Sequence, residues 1–459
     1  MLSSREAALK LGVSLRRVNA LIASGDLQAE KFGTVWVIDE RSVERLIANR
    51  RPAGRPKQGQ RDSALLDAYT LMNKNHRVLE FLFNREQGVV VSIEPLEDVA
   101  YAPVGICGRP DRPSRGAMTG WLSNRYIPSV RPNLSKVLRE LGLTHPSELL
   151  FGSLGLNLSD HYWFRPKGSE LDWHDVNYFE NDYTDTLGRS LSNQHVELTR
   201  RNAASPSSGT PGVLPKWWER RAGRNYLVKA GGYGNREPFN ELLASRLYEA
   251  LLDEEDFVRY WLEENDGRAF SICACMVDET TELIPMRDIL SCYAGSDVRS
   301  VYERYLRVGE DQGVTTLERH LAKMIACDFL TANPDRHDLN LGLIRDVESR
   351  AYLGAAPIFD NGRAFYLAAY RPDELKRGLY QYESNPFSPY PLSQLALVSD
   401  FDWYDPSRLE GFPDVIRHVL GEHPELGEEW IEAIVAQFAH RLTRLNEQAA
   451  QFRPLSLPV

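Results

Sequence analysis

Between residues 5 and 47 the pattern of apolar and polar positions changes period twice. Arg5-Glu6-Ala7-Ala8-Leu9-Lys10-Leu11 follows Ser3 and Ser4, and Glu6 stands three residues after Ser3, the spacing of a capping box, so a helix is predicted there. Gly12 ends it, because glycine takes the left-handed closing conformation cheaply. Ser14 caps a second helix over 15–24, in which Leu15, Val18, Leu21 and Ile22 recur at helical spacing. Residues 31–38 predict a short β-hairpin and 39–47 a closing helix. Two short helices joined by a Gly-Val-Ser turn carry the signature of a helix-turn-helix.

The next stretch, 49–63 (NRRPAGRPKQGQRDS), has almost no apolar residue and reads as a linker. Ala53-Gly54-Arg55-Pro56 is similar to a minor-groove AT-hook, although Ala53 stands where the first arginine of its core belongs. Arg50, Arg51, Arg55 and Lys57 suit phosphate contact without base reading. Beyond the linker, 78–84 and 89–93 predict strands around a turn at 86–88, and 134–141 a helix. Residues 225–230 predict a strand, 231–235 a glycine-rich turn, and the segment from Pro238 to about residue 252 a helix. Further on, 341–344, 351–353 and 357–359 predict a hairpin whose polar turn is 345–350. No internal repeat is visible.

Composition narrows what such a chain does. Its 459 residues correspond to two to four folded units at ~100–200 residues per domain. Hydrophobic content of 42% excludes a disordered or collagen-like chain, and no run of ~18 apolar residues predicts a membrane span. MLSSREAALK lacks the apolar core of a signal peptide, and five scattered cysteines (Cys107, Cys273, Cys275, Cys292, Cys327) suit the reduced cytoplasm. Cys273 and Cys275 have no second pair placed to complete a zinc site. Net charge is −10 overall, yet residues 1–60 hold 11 basic against 6 acidic side chains, so that block stands at +5 and the remainder at −15. A basic reader of DNA joined to an acidic body is the expected organisation, with the body repelling DNA.

Candidate chemistry concentrates in Asn333-Pro334-Asp335-Arg336-His337-Asp338-Leu339-Asn340 and in Asp360-Asn361-Gly362. The intervening hairpin would bring Asp335, Asn340 and Asp360 together at its open end. Phosphoryl transfer needs such a set: one carboxylate accepts the proton of the attacking hydroxyl, while an amide oxygen and a second carboxylate hold Mg2+ on the phosphates. The spacing Asp-x-x-x-x-Asn, then Asp-x-Gly about twenty residues on, matches a kinase catalytic loop and metal loop. Asp338 is a rival base, but only Asp335 lies five positions before Asn340, which makes Asp335 the expected base. Lys229, on the predicted strand, is the expected phosphate-binding lysine, and Glu241, on the following helix, its expected partner. Glu237 is the alternative partner, although it precedes Pro238 and is expected to lie before the helix. The small-residue stretch Ser205-Pro206-Ser207-Ser208-Gly209-Thr210-Pro211-Gly212 could let backbone N–H groups approach phosphates, but it is no Walker motif.

Two resemblances follow from these residues. The layout SSREAALKLGVSLRRVNALIASGDLQAEKFGTVWVIDERSVERLI resembles the excisionase/MerR-type winged helix-turn-helix, which implies a second helix in the major groove presenting Arg16, Arg17 and Asn19. From about Val78 to Phe452 the chain resembles the HipA-type serine/threonine-protein kinases, a toxin family. The resemblance rests on the Asp335/Asn340/Asp360 set together with LSDHYWFRP (158–166), HDVNYFEND (174–182), EPFNELLASRL (237–247) and TELIP (281–285), the last following an expected hinge at 273–276. It implies an α+β, two-lobed divergent protein-kinase fold preceded by the small winged domain. It also implies ATP and Mg2+, transfer to a protein serine or threonine, and His337 near the γ-phosphate. Autophosphorylation of a loop serine, here Ser205, Ser207 or Ser208, which ejects the loop and silences the enzyme, is a further implication. HipA-type toxins commonly take DNA binding from a separate antitoxin, whereas this chain carries a helix-turn-helix of its own, so an antitoxin partner stays open and autoregulation in cis is an alternative. A helix-turn-helix usually reads two half-sites, which implies a homodimer.

The expected domains are therefore 1–48 (winged helix-turn-helix), 49–63 (linker), 64–150 (N-terminal subdomain), 151–276 (N-lobe) and 277–456 (C-lobe). Two other functions compete with a DNA-binding kinase. One is a regulator that senses nucleotide without turnover, against which the intact Lys/Asp/Asn/Asp set argues. The other is a metal-dependent phosphohydrolase using Asp335, His337 and Asp360, which leaves Lys229 and Asn340 without a role.

Overall fold

The computed structural model describes residues 2–11, 13, 18–19, 21–22, 27–32, 35–43, 66–107, 113–232, 234–292, 300–376 and 378–452. The chain divides into two units, Met1–Ala64 and Leu65–Val459.

In the first unit, strands β1 (Leu2–Ser3), β2 (Ala29–Phe32) and β3 (Val35–Ile38) form one sheet in the order β1-β3-β2, with a helix at Ser4–Leu11. The hairpin starts two residues earlier than the pattern predicts, because Ala29 and Glu30 also pair, with Ile38 and Val37. Strand β1 has no local signature; it exists because Leu2 pairs with Ile38 and joins the core of Ala7, Leu11, Val18, Leu27, Ile38 and Val43. Asn19 is helical and exposed beside buried Val18. Gly12, Ser14, Arg16, Arg17 and the linker 49–63 lie outside the described residues.

In the second unit, β4 (Leu66–Asn73), β5 (His76–Asn84), β6 (Val89–Pro95) and β7 (Tyr162–Pro166) make an antiparallel sheet in the order β6-β5-β4-β7. Alternation along β5 buries Leu79, Phe81 and Phe83, which meet Phe151, Phe164 and the helix Arg115–Arg125. Strand β7 lies beyond the boundary expected at residue 150. Its five residues pair with β4, so the first sheet draws on both sides of that position.

Two further sheets frame the chemistry. Strands β8 (Lys216–Arg221), β9 (Arg224–Lys229), β10 (Tyr260–Asn265) and β11 (Arg268–Ala274) are ordered β10-β11-β9-β8. Cys273 and Ala274, expected in a hinge, belong to β11 instead and pair with Leu227 and Tyr226. Strands β12 (Thr281–Pro285), β13 (Gly342–Asp346) and β14 (Tyr352–Ala355) form the third sheet. Residues 357–359, expected to continue the hairpin, leave it instead: Ile358 bridges to Phe257. The largest core unites the helices Glu237–Leu251, Leu317–Thr331, Phe412–Gly421 and Glu428–Phe452. The first of these thus shares its core with the C-terminal helices. Among the described residues no helix is long and apolar enough to cross a membrane.

Candidate active site

Lys229 is the last residue of β9, flanked in register by Lys216 on β8 and Ser271 on β11. Its side chain is buried, and its Nζ donates to Glu241 Oε1 at 2.8 Å, to Asp360 Oδ1 at 2.8 Å and to the Tyr260 hydroxyl at 3.1 Å. A buried ammonium must be paired, and here two carboxylates from distant segments converge on it. Those carboxylates raise the Lys229 pKa against the opposing effect of burial. Asp360 lies well below the ordinary carboxylate range, because Lys229 and Lys216 outweigh the effect of its own burial. Asp360 also takes a left-handed backbone, φ 60°, uncommon for a residue with a side chain and often found at functional sites.

Glu241 reaches this point from the helix Glu237–Leu251, and its second oxygen accepts the Asn361 N–H at 2.8 Å. Glu237, expected to precede the helix, is its first residue and accepts the Gly232 N–H at 3.0 Å, so it braces the glycine turn. On the same helix, Asn240 donates to the carbonyls of Gly362 and Ala364 at 2.9 and 2.8 Å. One helix therefore positions both the lysine and the loop that carries Asp360.

The loop bearing Asp335 leaves the helix Leu317–Thr331 through Ala332 in the left-handed region. Arg336 holds it. That guanidinium is fully buried and forks onto Asp328 at 2.9 and 3.0 Å. It also donates to the Asn340 carbonyl at 3.1 Å, to the Phe359 carbonyl, and to Asn361 Oδ1 at 2.6 Å. A single side chain thus ties the Asp335 loop to the Asp360 loop. Within the first loop, Asn340 donates from Nδ2 to the Asp335 carbonyl at 2.9 Å, and the His337 Nδ1 accepts the Leu339 N–H at 3.3 Å.

Asp338, the rival base, is engaged by Arg287 in a forked pair whose shortest contact is 2.6 Å. Asp335 is half-buried, and burial followed by repulsion from Asp360 raises its pKa, against the pull of His337 and Arg363. A carboxyl group with a raised pKa is suited to proton acceptance.

The donor set suits a hard cation. Because Asn340 spends its Nδ2 on the Asp335 carbonyl, its Oδ1 is the remaining ligand atom, and Asp360 adds an ionised carboxylate. Among the described residues no trio of His, Cys, Asp or Glu is placed to hold a metal. An amide and one carboxylate would be the protein's share, as befits an ion that keeps water and phosphate oxygens.

The serine loop is an ordered piece of structure. Pro206–Gly209 form a 3-10 turn in which Ser205, Ser207 and Ser208 are all fully buried. Ser207 Oγ donates to Asp185 at 2.5 Å, and Ser208 Oγ accepts from Ser153 at 2.7 Å. Asp185 additionally accepts the N–H groups of Gly188 and Trp218.

Several residues at the site escaped sequence reasoning. Tyr260 joins Lys229 only through pairing of β10 with β11, and Asp328 meets Arg336 only through the helix end. Arg336 alone had a signal, as the neighbour of Asp335 inside the motif.

Residues 1–51 match the family profile of a helix-turn-helix domain. No curated protein matches the chain in sequence. Among solved structures, the Helicobacter pylori proinflammatory kinase CtkA is similar over 54% of this chain and 94% of its own, with 19% sequence identity and a TM-score of 0.42. The N-terminal unit is thus a helix-turn-helix domain, a module that supports DNA binding.

Proposed function

We propose that this chain is an ATP- and Mg2+-dependent serine/threonine protein kinase of HipA type carrying its own DNA-binding domain. The observation that supports it most is the convergence of Lys229, Glu241 and Asp360 within 2.8 Å contacts, braced through Arg336 against the loop of Asp335 and Asn340. In this reading Lys229 aligns the phosphates of ATP, with Glu241 fixing its position. Asp335 accepts the proton of the acceptor hydroxyl as that oxygen attacks the γ-phosphorus, and the bond from the γ-phosphorus to the β-phosphate oxygen breaks. His337, whose Nδ1 is an acceptor within its own loop, presents Nε2–H as a donor toward the transferring group. Mg2+, held by Asn340 and Asp360, would neutralise charge on the phosphates.

Regulation in this reading runs through the serine loop and the DNA-binding unit. Autophosphorylation at Ser205, Ser207 or Ser208 requires the loop to leave its buried position and Ser207 to leave Asp185. Incubation with Mg-ATP followed by mass-spectrometric mapping is expected to place phosphate on this loop. Nucleotide binding without phosphate on any protein would instead favour a non-catalytic sensor.

Arg16, Arg17 and Asn19 are the proposed groove-facing residues, in a homodimer reading two half-sites, with or without an antitoxin, in the cytoplasm. Operator binding should weaken with salt by a log–log slope of roughly 0.9 per neutralised phosphate. Removing residues 1–48 should abolish it while leaving phosphate transfer intact. Specific DNA binding that persists after this truncation would overturn the assignment.

A further inference from the structure

Directly after Asp360-Asn361-Gly362 stands a charged side chain that the chemistry above does not use. Arg363 is exposed, and among the described residues its guanidinium makes no hydrogen bond or ion pair. Its backbone, by contrast, is fixed on both sides. Fully buried Asn240 donates to the carbonyls of Gly362 and Ala364, the two neighbours of Arg363, at 2.9 and 2.8 Å. Two residues on, the Phe365 N–H donates to the Thr331 carbonyl at 2.7 Å, at the end of the helix that leads into the Asp335 loop. Buried Phe365 and Tyr366 both take left-handed backbone, φ 52° and 61°, a strained arrangement for two bulky side chains that only firm packing maintains. The point from which Arg363 projects is therefore set, while its charge is unspent.

Its neighbours indicate what that charge meets. Beyond the effect of burial, the cations acting on Asp360 are Lys229, Lys216 and Arg336, whereas those acting on Asp335 are His337, Arg363 and Arg336. Arg363 thus stands by the proposed base, where an acceptor hydroxyl must arrive, while Lys229 stands by Asp360. The chain itself brings little to neutralise it. Residues 363–372 include a second exposed arginine, Arg371, and no carboxylate. The segment 384–390, which Asn385 ties to the Pro334 carbonyl at 2.9 Å beside Asp335, is uncharged. Asp335 is reserved for the proton, so an anion supplied by the acceptor is the partner left for Arg363. A guanidinium suits a carboxylate, whose two oxygens match its fork.

Building on the kinase reading, we infer that Arg363 selects the acceptor, pairing with the carboxylate of an aspartate or glutamate that flanks the serine or threonine presented to Asp335. The preferred acceptor is then an acidic segment of a protein chain. The body of this chain is acidic overall, so a local cation is what admits such a segment at the site.

The test is phosphate transfer from Mg-ATP by the full chain to three peptides of one scaffold, in which the residues flanking a single serine are glutamate, glutamine or lysine. Binding of the same peptides, fluorescently labelled, is followed by anisotropy. In the wild type, kcat/KM for the glutamate peptide is expected to exceed that for the glutamine peptide by about 5- to 10-fold, between the worth of an exposed ion pair and that of a charge-assisted hydrogen bond. Added salt should shrink this preference. Arg363→Gln should bring the ratio to within about twofold of one, and Arg363→Glu should make the lysine peptide the preferred acceptor. Melting of each variant checks folding. A ratio unchanged in both folded variants overturns the inference, and so does an equal loss on all three peptides, the mark of a group that acts on the transferring phosphate. Phosphate on the serine loop, whose residues 202–212 carry no charge, reports the kinase reading independently. If loop or peptide is phosphorylated without charge preference, the role of Arg363 falls and the kinase reading stands. Charge-selective peptide binding that inverts in Arg363→Glu, with no phosphate on loop or peptide, keeps the acidic-segment site and drops the kinase reading. Neither phosphate nor charge-selective binding overturns both.

Discussion

Replacing Asp335 with asparagine is expected to lower phosphate transfer by about 10²–10⁴-fold, the range for losing a general base, while leaving the fold and nucleotide affinity nearly unchanged. The asymmetry comes from how the residue is held. Its main-chain carbonyl receives the Asn340 amide, and its N–H donates to Asn333 Oδ1 at 3.0 Å, so the loop is anchored through backbone atoms the substitution keeps. The side chain is free to serve chemistry. In the wild type the rate should fall as pH drops through the Asp335 pKa, because only the ionised carboxylate accepts a proton. In kcat/KM, which reports the free enzyme, that acid limb should lie above the usual carboxylate range, since burial and Asp360 both favour the protonated form there. Phosphate incorporation measured across pH for both proteins checks the prediction. Full activity in Asp335→Asn would move the base elsewhere, although Asp338 is already paired with Arg287.

Arg336→Met should produce the largest loss of stability, about 3–5 kcal/mol, read as a lower denaturant midpoint of the C-terminal unit. Removing the guanidinium leaves Asp328 buried with a charge that Asn333, donating at 3.1 Å, only partly satisfies, and it strands two carbonyls, while the Asn361 side-chain oxygen keeps only the Tyr248 hydroxyl. Arg336→Lys should recover only part, because an ammonium cannot fork onto Asp328 and still reach the second loop. The double variant Arg336→Met with Asp328→Asn should be more stable than Arg336→Met alone, since the stranded charge is gone. A midpoint equal to wild type in Arg336→Met would mean the two loops are held by packing instead.

Much of this site was legible in the chain because its chemistry is local in sequence. Asp335 and Asn340 sit in one loop at a spacing that backbone geometry converts directly into proximity, and their hydrogen bond spans only five residues. The strand of Lys229 and the helix of Glu241 were likewise visible, since a glycine turn separates two segments of different period. The first sheet was half visible. Strand β5 alternates and announces itself, whereas β7 is five residues far from its partner, and only pairing with β4 reveals where it belongs.

The sequence by itself determined the identity of the charged groups, the order in which they occur and the short-range spacings, together with a basic helix-turn-helix end attached to an acidic body. Tertiary structure decided which charges share a dielectric. It brought Asp360 to Lys229 across 131 residues, Arg336 to Asp328 and Asn361 at once, and Arg131 to the Gly212 carbonyl across 81 residues. Such contacts leave no periodic trace, because a buried charge is satisfied by whichever partner the packing of helices and sheets delivers, at any separation along the chain.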